Sequence, residues 1–219
     1  MNKMKLLRLL NPVFLFLILL LPSVTGSFFH WSILAAALLV TLIDGFIIHR
    51  MIANYENLYR FSYFDSLTKI PNRLSADLYC DKINSVKDSS VAVADLDNLK
   101  ITNDTYGHFA GDELLAEFAS IFNSCADKDG FAARNGGDEF IVFFHGKSSA
   151  EQLTEFLTSL QDQIDAHNRT SGRCIGYSIG CAFGTSDDCA SIYELISLAD
   201  QRMYQQKREK KASDRKQKG

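Results

Sequence analysis

The chain has 219 residues, 47% of them hydrophobic and 22% charged, with a formal net charge of −3. That near-neutral balance names no partner by itself and gives no reason to expect nucleic acid. Five cysteines, odd in number and without CxxC spacing, suggest neither a disulfide framework nor a zinc site and fit a reducing compartment.

Taken from the N-terminus, Leu6 to Val24 is apolar apart from Arg8, Asn11 and Ser23, although Pro12 and Pro22 interrupt it. Phe28 to Ile48 is a second apolar segment, broken by His30 and Asp44. Each can cross a hydrocarbon core of about 30 Å, the first only marginally. Residues 1–48 therefore read as a membrane anchor of two helices, about 6–24 and 28–48. Lys3, Lys5 and Arg8 precede the first segment, Arg50 follows the second, and the connection from Pro22 to Ser27 is uncharged. Both ends then face the cytoplasm, which predicts a multi-pass protein of the cell inner membrane. A cleaved signal peptide is the rival reading of the first segment, although Val24-Thr25-Gly26 makes a poor cleavage site. Asp44 reads equally as a sensing group or as an acid near enough to the interface to reach water.

Residues 49–64 contain no proline or glycine, and Ile52, Tyr55 and Tyr59 recur near helical spacing. They predict a helical stalk, either a short coiled coil with a twin or a plain spacer. Residues 65–211 are long enough for one sizeable core. Within them strands are expected near Val91 to Leu96, Phe131 to Arg134, Glu139 to Phe144 and Arg173 to Phe183. Helical stripes run through Leu114, Phe118, Ile121 and Phe122, through Leu153, Phe156, Leu157, Leu160 and Ile164, and through Ile192, Leu195, Ile196, Ala199 and Met203. The fold class is α+β, with helices covering a mixed or antiparallel sheet.

Two acidic sites stand out. Val91-Ala92-Val93-Ala94 ends in Asp95-Leu96-Asp97, and the hairpin turn Asn135-Gly136-Gly137 is followed by Asp138-Glu139, its glycines expected to supply positive φ. Carboxylates gathered this way repel one another unless a hard cation, with magnesium the natural candidate, neutralises them. Lys100 to Asp112 adds a cation, an amide, a histidine and another acid, with Gly107 and Gly111 allowing tight turns or close approach.

Together, Asp95-Leu96-Asp97-Asn98-Leu99-Lys100, Asn103-Asp104, Gly107-His108, Gly111-Asp112-Glu113 and Gly136-Gly137-Asp138-Glu139-Phe140 resemble the GGDEF-domain diguanylate cyclases. Asp65-Ser66-Leu67-Thr68, Pro71-Asn72-Arg73, Ser178-Ile179-Gly180, Ala199-Asp200, Met203-Tyr204 and Lys207 extend the match in order. The resemblance implies a palm-like domain with a central antiparallel sheet and the condensation of two GTP into cyclic di-3′,5′-GMP with release of two pyrophosphates. It implies two magnesium ions per active site, manganese being a possible substitute, held by Asp95, the Leu96 carbonyl and Asp138. Asp138 or Glu139 is the candidate proton acceptor. Lys100 would neutralise charge on the transferred phosphoryl group, and Lys207 and Lys211 would hold the terminal phosphates. Asn103 and Asp112 correspond to the guanine-reading pair, with His108 in the same stretch. Arg134 reads equally as a phosphate contact or a surface residue, while Asp65, Asn72 and Arg73 are expected to lock the stalk to the domain.

Because each domain would supply one half-site, the expected active species is a homodimer through this domain and the stalk, with GTP and membrane lipid as further partners. The alternative is a degenerate module that binds GTP or a protein without turnover. Departures from the family pattern are Lys69 for glycine, Leu99 for phenylalanine, Thr102 for isoleucine and Lys211 for arginine. The family's product-inhibition motif, Arg-x-x-Asp, falls on Asp127 and Gly130, which cannot grip phosphates. The seven Lys or Arg from Lys207 to Gly219 suit phosphate or an anionic leaflet, and 212–219 read as a basic tail.

Overall fold

A computed structural model describes residues 27–127, 129–171 and 173–217. The first apolar segment, about 6–24, lies outside them. Helix α1 (Ser27–Tyr63, 37 residues) is unbroken because its sequence holds no proline and a single glycine, Gly45. Leu38, Leu42, Phe46 and Ile47 are all exposed. Leu34–Tyr63 is long and apolar enough to cross a membrane, with an 18-residue window of mean hydropathy 1.7. Compact units divide after Tyr59.

In the second unit, α2 (Arg73–Cys80), β1 (Ser89–Leu96), α3 (Leu99–Tyr106), α4 (His108–Ala126), β2 (Gly130–Arg134), β3 (Glu139–His145), α5 (Ser149–Thr170), β4 (Tyr177–Phe183) and α6 (Ile192–Gln217) follow one another. The strands form one antiparallel sheet in the order β2-β3-β1-β4. All of β1 is buried, because helices cover both faces. Ala92 and Ala94 join Leu114, Phe118, Phe122, Phe156 and Leu160 from α4 and α5 on one side. Val91 and Val93 join Ala76, Leu195, Ala199 and Met203 from α2 and α6 on the other. Alternation along the strand thus serves two cores, so β1 reads as a continuous apolar run. The fold is α+β.

Sequence reading began the last strand near Arg173, whereas β4 begins at Tyr177. The cause is Asn168 of α5, whose Nδ2 donates to Ile175 O at 2.9 Å and whose Oδ1 accepts from Ile175 N at 2.7 Å. Those backbone groups are occupied before any ladder can use them.

Asn72 ties the end of α1 to the domain. Its Oδ1 caps α2 by accepting from Ser75 N at 3.1 Å, while Nδ2 donates to Ser62 O at 2.9 Å. Lys69 adopts φ +64, which accounts for the glycine expected at that position. Gly180 of β4 allows α6 to lie directly on the strand, since a Cβ there would sit 2.1 Å from both Ala199 O and Met203 N. Gly180→Ala should therefore destabilise the domain by ~3 kcal/mol, because backbone cannot yield as a side chain can. Urea unfolding monitored by circular dichroism checks this.

Candidate functional site

The site grows from the C-terminal end of β1. Asp95 lies opposite Glu139 of β3 and Ser178 of β4, held by the ladders on both sides. Beyond them Leu96 N donates to Asp138 O at 3.0 Å and Asp97 N to Gly176 O at 2.8 Å. Backbone bonding thus fixes Asp138 beside Leu96 without relying on either side chain.

The β2–β3 turn is shaped by Arg134. Its guanidinium donates from Nε to Gly136 O at 3.1 Å, from Nη2 to Gly137 O at 2.6 Å and from Nη1 to Asp65 Oδ1 at 2.8 Å. Neither Gly136 nor Gly137 has positive φ, contrary to the sequence expectation. Arg134 draws both carbonyls to one side, so the turn closes in ordinary backbone conformations. At Gly136 a Cβ would instead meet Glu139 Oε2 at 3.0 Å. Arg134 is therefore a brace, and its side chain is only 14% exposed.

Three carboxylates and two ammonium groups meet here. Lys207 of α6 donates to Asp95 Oδ1, and Lys210 lies 3.4 Å from Asp97 Oδ2. Asp97 Oδ1 also accepts from Ser178 Oγ at 2.9 Å. Burial raises the Asp95 pKa; the Lys207 hydrogen bond opposes this, and the Asp138 and Asp97 charges reinforce it. For Lys207 burial acts downward but is outweighed by Asp95, Asp138 and Asp97, so its pKa is raised. The ammonium stands in for a cation at a place where oxygen donors converge. Asp95, Asp138 and the Leu96 carbonyl are hard oxygen donors, of the kind that could hold a magnesium-type ion sharing its shell with phosphate and water. Among the described residues no cluster of three His, Cys, Asp or Glu side chains meets metal-binding geometry. A set of two carboxylates and a carbonyl is not of that kind.

A cleft of about 610 Å³ opens over these groups, lined by Leu96, Lys100, Asp138, Lys207 and Lys211 among others. Asn103, His108, Asp112, Asp95 and Glu139 do not line it. The first three cluster around the α3–α4 junction, where Gly107 has φ +85. Gly111 packs so tightly on Asn103 that a Cβ would lie 1.9 Å from its Oδ1, which is buried without a hydrogen-bond partner among the described residues. That packing sets Asn103 beside the residue preceding Asp112. His108 and Asp112 are exposed, as are the neighbouring Tyr106 and Phe109.

Sequence reading missed Asp97 and Lys210 as partners. The available signals were the Asp-x-Asp spacing and the position of Lys210 one turn beyond Lys207.

The family model described as "Diguanylate cyclase, GGDEF domain" matches residues 62–213. The chain is 33% identical over 157 residues to the probable diguanylate cyclase DgcI of Escherichia coli K12, covering 71% of this chain and 34% of that protein. It is 31% identical over 163 residues to the diguanylate cyclase DgcS of Shewanella oneidensis, covering 70% and 52%. The chain thus spans a third to a half of the length of these two relatives. Among solved structures, the coiled coil and GGDEF domain of DgcB from Caulobacter crescentus, in complex with c-di-GMP, superposes with TM-score 0.65 at 27% identity, covering 78% of this chain and 95% of that one. A sensory box/GGDEF family protein from Caulobacter crescentus CB15 gives TM-score 0.56 at 33% identity, covering 67% and 99%.

Asp65 supports the brace electrostatically. Burial pushes its pKa up, but bonds from the Thr68 hydroxyl and amide and from Arg134 outweigh it and hold the pKa below 3.8. Folding thus favours the ionised form, and this stabilisation is complete above 3.8 and lost as pH falls through the lower folded value. Asp65→Asn should lower the urea midpoint at neutral pH, and the gap from wild type should close below pH 3.8. Unfolding titrations from about pH 7 to about pH 3 measure it.

Proposed function

The chain belongs to the GGDEF-domain diguanylate cyclase family, and on that premise we propose that it condenses two GTP molecules into cyclic di-3′,5′-GMP with release of two pyrophosphates. The observation that carries this reading is the bonded junction of Leu96 and Asp138 in a lysine-lined cleft whose Lys207 also bonds Asp95. Magnesium, two ions per site in the family pattern with manganese as substitute, would be held by Asp95, Asp138 and the Leu96 carbonyl, and when bound supplies charge neutralisation on the triphosphate and a more acidic 3′-hydroxyl.

The chain's own groups do the rest. Lys100 balances charge on the transferred phosphoryl group, and Lys207 and Lys211 hold the terminal phosphates. The 3′-oxygen of one GTP bonds to the α-phosphorus of the other, the bond to pyrophosphate breaks, and Asp138 or Glu139 takes the proton. Repetition in the opposite sense closes the ring. Asp112 accepts from guanine N1-H and the N2 amine, with Asn103 and His108 at the same α3–α4 junction, so adenine leaves a carboxylate unpaired. Two facing copies supply the two halves, making the active species a homodimer through the domain and the stalk. The apolar segment of α1, about 28–48, would anchor the chain in the inner membrane, with the catalytic domain in the cytoplasm.

Incubating the full chain with GTP and magnesium and identifying the dinucleotide tests the proposal; absence of cyclic di-GMP overturns it. Asp138→Ala should lower the rate by roughly two orders of magnitude or more while leaving the urea midpoint near wild type, because it removes an oxygen donor and no core packing. Near-normal turnover would contradict the assignment. Product inhibition gives a separate expectation. Asp127 sits at the end of α4 with φ +50, and at Gly130 a Cβ would strike the Phe144 ring at 2.7 Å. With an acid and a glycine where the family motif has Arg and Asp, cyclic di-GMP should not act as a potent noncompetitive inhibitor in initial-rate titrations.

A further inference from the structure

Strand β4 is an edge strand bonded only to β1, so the backbone groups on its far side lack a strand partner. Side chains take their place. Lys210 donates to Tyr177 O, Gln206 Oε1 accepts from Ile179 N at 2.7 Å, and Arg202 Nη1 donates to Cys181 O at 2.7 Å. Asp187 Oδ2 accepts from Phe183 N at 2.9 Å and, through both oxygens, holds Arg202 at 2.9 and 2.8 Å.

The spacing explains why one helix can do this. Residues 202, 206 and 210 advance about 6.0 Å per step along α6. Residues 181, 179 and 177 advance about 6.8 Å per step along β4 in the opposite sense. The two repeats stay in phase over these two steps, and Gly180 permits the approach. A slip of one helical residue would rotate the stripe off the edge by about 100° and leave those backbone groups unpaired.

We propose that the Arg202–Gln206–Lys210 stripe is a positioning device that sets the register of α6 on β4 and so delivers Lys207 to the phosphate-binding mouth beside Asp95. The inference rests on the reading that Lys207 takes the triphosphate. Gln206 is the central element, one residue before Lys207 and half-buried at the edge of the same cleft.

The test is calorimetric binding of α,β-methylene-GTP with magnesium to the full chain, in wild type, Gln206→Leu, Lys207→Met and the double variant. Gln206→Leu should weaken binding roughly five- to tenfold, the effect of losing one part-buried hydrogen bond that seats on β4 the helix carrying the lysine. In the Lys207→Met background the same change should add less than about twofold, because its effect runs through Lys207. An equal penalty in both backgrounds would show that Gln206 touches the nucleotide itself or acts globally, and would overturn the inference, as would wild-type affinity in Gln206→Leu. If that variant does not fold, Arg202→Leu, lying outside the cleft lining, is read in the same two backgrounds. A wild-type chain that fails to bind the analogue counts against the functional reading and removes this inference with it.

Discussion

Electrostatic repulsion among Asp95, Asp97 and Asp138 at the end of a fully buried strand is the constraint around which the site is arranged. The carboxylates cannot separate, because backbone hydrogen bonds from Leu96 and Asp97 hold the strand end between the β2–β3 turn and residue 176. Positive charge must come to them. Lys207 and Lys210 supply it from α6, and the same concentration of oxygen donors suits a hard cation with a polyphosphate.

Meeting that demand requires a helix in the right register and a turn of the right shape. For the helix, close packing at Gly180 combines with side-chain bonds along the open edge of β4. For the turn, Arg134 holds two carbonyls while Asp65 holds Arg134. Asp65 lies near the end of α1, and Asn72 bonds Ser62 and caps α2, so the segment entering the domain touches the network that shapes the acidic turn. The route from the end of α1 to the turn is short in bonds, although it leaves the carboxylates themselves untouched.

Much of this was legible in the chain. The apolar run ending at Asp95, the hairpin with Asp138 and the helical stripes of Phe118 and Leu160 follow from period and turn chemistry, which act over a few neighbouring residues. The identity of the acids and lysines was equally plain, since chemistry belongs to residue type.

Tertiary structure decided the pairings. No local pattern says that Arg134 would brace a turn two residues ahead through Asp65, 69 positions behind, or that Asn168 would occupy Ile175 and shorten β4. Positive φ was expected at Gly136 and Gly137 because glycine permits it, yet permission is not requirement; Arg134 closes the turn in ordinary conformations, and it is Lys69 that takes the left-handed one. Likewise the sequence showed that Lys207 and Lys210 ride the same helix, and packing against β4 gave Lys207 to Asp95 and Lys210 to Asp97. Local chemistry fixes which groups a chain carries and which elements they ride on; which charge meets which depends on how those elements close against one another, a contest among distant surfaces that no short stretch of sequence contains.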